Sequence, residues 1–377
     1  MKITSISCIN LSKDGGDAHT IRTNLLHRGL KEQNIALDIF SYSTNYDLNS
    51  TVHLGKYIFN NLNRKRFFMK KIGLLLNSFI FFRFLLSIPK QNVILIDKLE
   101  INLVLSFIFF KMIRRNVVVA QYHEFLTFHN KPKNRLIQVI MKVHFILLKL
   151  LLKHIDLLIA ISSIHGEYFK QFMRKKNIFV IPMLIDYKKD KNILTEKYEK
   201  HSPFRICYGG AISKSNGIEL LIEATKNIHS IQLNIFGYCT PDYKNELYKK
   251  YGIIIGDSKN NNEAKKILAT QNLLVIPKIK DKRSLGYIPS KLGDFFMSGV
   301  PVLATQVGIM DQYIFNNKNG FIVEPDNVNK MQEKILSIVN LKEEELREIG
   351  INGMLSAEQF DYLPQIKALI TSIQRLR

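Results

Sequence analysis

The 377-residue chain has little cysteine, little acid in its first half, and no apolar run long enough to cross a bilayer. Its three cysteines are Cys8, Cys207 and Cys239; none forms a CxxC pair, and the odd count argues against a disulfide framework. A reducing, cytoplasmic setting is expected. The opening MKITSISCIN alternates like a strand and has no signal-peptide core. The most apolar segments are IGLLLNSFIFFRFLLSI (72–88) and INLVLSFIFFKMI (101–113). The first contains Asn77 and Arg83 and falls short of the ~20 apolar residues a spanning helix needs. No Asp-x-Asp occurs and no His/Cys cluster has zinc spacing, so no metal site is expected.

Apolar residues make up 46%, enough for a large core, and the formal net charge is +22. That charge is unevenly spread. Residues 1–200 hold 32 Lys+Arg against 14 Asp+Glu, a net of +18; residues 201–377 hold 22 against 18, a net of +4. The first half therefore presents the anion-seeking surface, toward nucleic acid, an anionic membrane or a phosphorylated substrate. No RNP, KH or helix-turn-helix signal accompanies the charge, so no nucleic-acid partner is expected. The basic, aromatic RKRFFMKK (64–71) flanks the first apolar segment. That combination suits either a core helix with a charged edge or a helix at the surface of an anionic membrane.

The chain reads as two tandem α/β domains. KITSISCIN is a strand, LSKDGGDAHT a loop, TIRTNLLHRGLKEQ a helix with Ile21, Leu25, Leu26 and Leu30 at helical spacing, and IALDIFSY a strand. This βαβ unit predicts a parallel sheet. Strands are further expected at 92–97, 116–123, 155–162 and 177–184. The lysine-rich span 189–202 is read as a linker between a first domain, 1–188, and a second, 203–355. A second βαβ series starts at FRICYGG (204–210), with strands expected at 231–237, IIIG (253–256), NLLVIPK, 301–305 and 319–324. The last helix, about 356–377, is expected to pack back on the first domain. A site is expected in the cleft between two such domains.

The chemistry concentrates in SLGYIPSKLGDFFMSGVPVLAT (284–305). Pro289 suits a first helical position and Ser290 a cap. The first-turn N–H groups, the helix dipole and the Lys291 ammonium would together attract phosphate. Asp294, one turn on, is a good acceptor for a sugar diol. Charge at one end and a diol at the other describe a nucleoside diphosphate.

Pro289-Ser290-Lys291, Asp294-Phe295 and Gly299-Val300-Pro301-Val302 resemble the nucleotide-sugar site of family-4 retaining glycosyltransferases (group 1, GT-B fold), in a branch common in polysaccharide and lipopolysaccharide clusters. GGDAHTIRTNLLHRGLKEQN, IDLLIAISS (155–163), IPMLID (181–186) and YGGAISKSNGIELLIEA (208–224) resemble further motifs of that family in the same order. The resemblance implies two Rossmann-like domains facing a central cleft. It implies a hexosyltransferase that takes sugar from a nucleotide diphosphate, expected to be UDP, to a glycan or lipid-linked acceptor in surface polysaccharide synthesis. Retention of configuration and independence of metal are implied, with no cofactor beyond the donor. The catalytic group would be His123, Lys291 and Asp294. Donor contacts would come from Gly209, Gly210, Lys214, Arg283, Ser290, Lys291 and Asp294. The acceptor and diphosphate loop would hold Gly15, Gly16 and Glu124. The basic, apolar first domain would sit peripherally on the inner face of the cell membrane. Departures from the pattern fall at Gly286, where a first carboxylate is usual, and at Ala211 and Asn216, where basic residues are usual. Two alternatives stay open: a sugar-nucleotide epimerase of the same architecture, and a degenerate relative that binds nucleotide or membrane without transferring.

Overall fold

The computed structural model describes residues 1–7, 18–41, 52–54, 57–59, 78–97, 99, 101–123, 125, 134–193, 198–281 and 284–377. The chain divides into two compact units, Met1–Ile181 with Leu363–Arg377, and Pro182–Tyr362.

In the first unit a six-stranded sheet runs β2-β1-β5-β6-β7-β8. Its strands are β1 (Lys2–Ser7), β2 (Ala36–Ser41), β5 (Val93–Ile96), β6 (Val118–Tyr122), β7 (Leu157–Ala160) and β8 (Ile178–Val180). Every pairing in it is parallel. The short strands β3 (Val52–Leu54) and β4 (Tyr57–Phe59) form a separate antiparallel pair. Strands VILI and LLIA are buried throughout, as a parallel sheet covered on both faces requires. Helices α1 (Ala18–Glu32), α2 (78–87), α3 (Ile101–Ile113), α4 (Arg135–Leu152) and α5 (Ser163–Lys170) connect the strands. Chain order reverses between β1 and β5, which makes the carboxyl edge there a natural crevice.

The two apolar segments resolve by face. Phe81, Phe84 and Leu85 of α2 and Phe107 and Phe110 of α3 enter the core beside Ile94, Ile96 and Val118. Phe79, Phe109, Met112 and Ile113 stay exposed. Among the described residues no helix is long and apolar enough to cross a membrane.

The second unit has the sheet β10-β9-β11-β12-β13, again parallel. Its strands are β9 (Phe204–Gly209), β10 (Ile231–Phe236), β11 (Leu273–Ile276), β12 (Val302–Thr305) and β13 (Phe321–Val323). Helices α6 (Tyr187–Ile193), α7 (Ile218–Thr225), α8 (Pro241–Tyr251), α9 (Asn261–Ala269), α10 (Lys291–Met297), α11 (Val328–Val339) and α12 (Glu343–Ser356) surround it, and α13 (Tyr362–Gln374) ends the chain. The order reverses between β9 and β11, so this sheet too has a switch point at its carboxyl edge.

Two expectations are corrected here. The first unit ends at Ile181, ahead of 188, and the described parts of the lysine-rich span, 189–193 and 198–202, are no free linker. Its start is α6, and Lys200 Nζ donates to the carbonyls of Val339 and Leu341 past the end of α11, 2.7 and 2.6 Å away. A lysine that serves unpaired helix-end carbonyls is bound to the fold even where its neighbours are charged. IIIG is not a strand: it makes one parallel bridge, Phe236 to Gly256, and leaves Ile254 80% exposed.

Asp156, which opens IDLLIAIS, is a structural latch. Its carboxylate accepts from Val118 N at 2.8 Å and sits 3.3 Å from Lys111 Nζ and 2.6 Å from Lys175 Nζ. It thereby ties β6, the end of α3 and the start of β7. Ser162, closing the same motif, caps α5 by accepting from His165 N. Burial holds the Lys111 pKa below its ordinary value, and Asp156 opposes that shift. Removing the carboxylate strands a buried ammonium and an amide. Asp156→Ala is therefore expected to lower unfolding stability by ~3–5 kcal/mol, read from urea denaturation, as for other broken buried pairs.

Candidate active site

The second unit gathers its polar groups at the switch point. β9 ends in Gly209, buried, and Gly210 follows at φ +138, a conformation open to glycine. A Cβ built on Gly210 would lie 2.8 Å from Lys291 Nζ, so this glycine is what lets the ammonium in. Lys291 Nζ donates to the Tyr208 hydroxyl at 2.8 Å and lies 4.0 Å from that ring's centroid. Tyr208 in turn donates to Ala211 O at 2.6 Å, and Asn216 Nδ2 donates to the same oxygen at 2.7 Å. The loop is thus ordered by neutral hydrogen bonds at the two positions where basic residues are usual.

Burial, helped by the nearby Lys278 and opposed by Cys207, lowers the Lys291 pKa to about 7. Among the described residues no carboxylate ion-pairs with Lys291. Lys278, immediately beyond β11, is buried with its ammonium 5.3 Å from the Tyr287 ring centroid. The Lys278 charge acts on Lys291, so the two ammonium groups add to one positive field that favours concentrated negative charge.

Asp294 lies on the same short helix. α10 buries Leu292, Gly293, Phe295, Phe296 and Met297, which leaves Lys291 and Asp294 half-buried on its polar side. Burial raises the Asp294 pKa to about 6; Lys265 opposes that and Asp190 adds to it. Lys265 and Asp190 are themselves paired at 2.5 Å, so the neighbouring ammonium is already committed. The Asp294 carboxylate accepts no side-chain hydrogen bond among the described residues and retains acceptor capacity for hydroxyls.

Several expectations shift. Ser290 does not cap α10: its backbone is already right-handed helical and its side chain makes no capping bond. Pro289 precedes the helix, and its carbonyl accepts from Leu292 N. With seven residues and that N–H already used, α10 offers no helix-terminus anion site, and the attraction rests on Lys291. The Gly210 N–H likewise donates to Phe236 O, so the glycine makes room rather than donating to an anion. Lys214 points elsewhere, exposed and 2.6 Å from Glu246. Gly286 sits at φ +68, which explains why a carboxylate side chain does not stand there. Arg283, Glu124, Gly15 and Gly16 lie outside the described residues.

The first unit has its own cluster at the carboxyl edge. His123 follows β6 directly, and its Nε2 is shielded from solvent without a hydrogen-bond partner. Burial, then the charges of Arg22, His19 and His165, hold its pKa well below the ordinary value, so it is a neutral imidazole. His19 Nε2 is 2.8 Å from Asp97 Oδ2, and the His19 and His123 rings meet edge-on at 5.2 Å. Arg22, buried, donates to Ile181 O and is held at a pKa of about 10 by burial against the pull of Asp97. Tyr208, Lys278, Asp97 and Arg22 were not singled out in the sequence. Lys278 and Asp97 had a readable signal, each standing just past a strand's carboxyl end.

Residues 190–354 match the family model described as glycosyl transferases group 1. The matched residues lie within the second unit. An uncharacterized glycosyltransferase of Methanocaldococcus jannaschii is 27% identical over 229 residues, 55% of this chain and 62% of that protein. A capsular polysaccharide biosynthesis glycosyltransferase, CapM, of Staphylococcus aureus is 29% identical over 180 residues, 45% of this chain and 46% of that protein. The matches therefore span about half to three-fifths of those relatives. The fold is GT-B: the structure of Anabaena HepE in complex with UDP aligns over 100% of both chains, with a TM-score of 0.64 at 14% identity.

The half-buried Lys291 has a measurable signature. Its folded pKa lies below the unfolded value, so the unfolded chain binds more protons between about 7 and 10.5. Stability should rise with pH through that window. Lys291→Met removes the titrating group while keeping most of the volume. Urea midpoints at pH 6, 8 and 10 should show a wild-type rise that the variant lacks, with the variant no less stable than wild type at pH 6.

Proposed function

We propose that the chain is a hexosyltransferase. It takes sugar from a nucleotide diphosphate, UDP being the expected carrier, and delivers it to a hydroxyl of a glycan or lipid-linked saccharide in surface polysaccharide synthesis. The observation that carries this reading is the desolvated Lys291 ammonium at the Gly210 turn, with an unencumbered carboxylate one helical turn away on Asp294. In this reading Lys291, with Lys278 behind it, meets the charge that develops on the departing diphosphate, and Asp294 accepts the ribose diol. Gly209 and Gly210 shape the diphosphate pocket, and transfer proceeds with retention and without a metal at the diphosphate. The UDP carried by HepE and the polysaccharide role named for CapM support the donor and the setting.

Peripheral membrane association belongs to the same proposal, and α4 supports it. Leu136, Ile137, Val139, Ile140, Val143 and Ile146 are exposed along one helix that also carries Arg135, Lys142 and Lys149 and no acid. A monomer gains nothing from such a surface in water, whereas an anionic bilayer satisfies both its apolar area and its charge.

Two measurements test these readings. UDP binding by calorimetry without added metal should be clear for wild type and ~10–100-fold weaker in Asp294→Ala, the loss of charge-assisted hydrogen bonds. It should weaken as pH rises past about 7, where Lys291 loses its proton, and binding at pH 8 should take up a proton. Absence of UDP binding by wild type sinks the donor assignment. On vesicles, wild type should float with anionic lipid, less so at high salt, and not with neutral lipid. Val139→Glu with Ile146→Glu should abolish flotation while circular dichroism stays unchanged, and flotation that survives the pair removes α4 from the membrane face.

A further inference from the structure

Three metal-competent side chains from three elements converge at the carboxyl edge of the first unit. His19 is the second residue of α1, Asp97 follows β5 at once, and His123 follows β6 at once. Their ligand-capable atoms all lie within 4.8 Å of one another. His19 Nε2 and Asp97 Oδ2 are already 2.8 Å apart. Ligands ~2.0–2.1 Å from a tetrahedral ion stand ~3.3 Å from each other, so rotamer-scale adjustment closes the set. The place is also where the β2-β1-β5-β6 order reverses, the crevice in which open parallel sheets hold ligands.

We propose that His19, Asp97 and His123 form a binding site for a late first-row divalent metal, with zinc the expected occupant. Two imidazoles and one carboxylate are the donors of open-sided zinc sites, which keep a remaining position for water or a ligand hydroxyl. His123 supplies a shielded, partnerless ring nitrogen, and the partly exposed His19 leaves a route of entry. Asp97 is buried and bears the only negative charge among the three. Arg22 bears on the choice of ion, since its guanidinium shares the field of Asp97. That charge disfavours hard cations, which depend on oxygen ligands and net negative charge, and leaves ions whose affinity comes from imidazole. Zinc and cobalt should bind, and magnesium and calcium should not. The sequence shows no zinc spacing because each ligand comes from a different element, brought together only by the sheet. This site is independent of the nucleotide reading for the second unit, so either can fail alone.

The test is equilibrium dialysis of the EDTA-stripped full chain against zinc, cobalt or magnesium chloride, with cobalt absorption recorded. The expected result is about one equivalent of zinc or cobalt, none of magnesium, and visible ligand-field bands without a thiolate charge-transfer band, which sets Cys8, Cys207 and Cys239 aside. His19→Gln and His123→Gln should each weaken binding at least ~10-fold, as loss of a ligand does at least as much as loss of its supporting partner. His19 is partly exposed, so its variant keeps the fold, which circular dichroism verifies. Binding by the His19→Gln, His123→Gln double variant equal to wild type, a thiolate band, or no retention of zinc and cobalt by wild type would each overturn the site.

Discussion

A lysine held half-buried, with no carboxylate paired to it among the described residues, is the constraint around which the second unit is arranged. Burying an ammonium group is costly, and proteins normally offset the cost with an acid. Here the offset is a phenol: Lys291 lies over the Tyr208 ring and donates to its hydroxyl. That arrangement needs the residue after β9 to lack a side chain, because a Cβ at Gly210 would meet the ammonium. It also needs α10 to pack its other face deep into the core, which Leu292, Phe295 and Phe296 achieve. The cost left uncompensated is what an anionic ligand would relieve, so instability of the free site and affinity for a diphosphate have one physical source.

The same logic explains why some usual basic positions are dispensable here. Ala211 and Asn216 carry no charge, yet the loop between them is fixed by hydrogen bonds onto the Ala211 carbonyl. Charge enters from Lys278 and Lys291 instead, both reaching the switch point from other segments. Gly286 shows the complementary case. Its left-handed backbone makes a tight turn ahead of α10, and a carboxylate side chain there would strain that turn. The departures are thus consistent with one another and not a scatter of losses.

How much was legible follows from how far each feature depends on distant residues. The βαβ order, both parallel sheets and the pairing of Lys291 with the Gly209-Gly210 turn could be read locally, from period, glycine placement and a motif in one stretch. The boundary at Ile181 and the packed position of Lys200 could not, because lysines that serve helix-end carbonyls look like solvated linker lysines in sequence. The Ser290 cap failed for a similar reason: the residue type permits a cap, but the preceding Pro289 carbonyl takes the amide first. Lys214 has the spacing of a phosphate ligand, and only the fold reveals Glu246 opposite it. The α4 surface was missed because an amphipathic helix reads as core-facing until one sees which stripe the sheet covers.

That stripe bears on the charge asymmetry of the chain. A net of +18 over residues 1–200 could come from a uniformly solvated surface, which would imply no partner. The structure distributes it otherwise. The acids that exist near the core are committed, Asp156 to Lys111 and Lys175, and Asp97 to His19. Helix α4, which exposes a row of large apolar side chains, has basic residues along its length and no acid. Excess cation and unburied hydrocarbon therefore occur on the same element. Neither property alone requires a partner; the proposed membrane association rests on their coincidence, because an anionic bilayer would satisfy both.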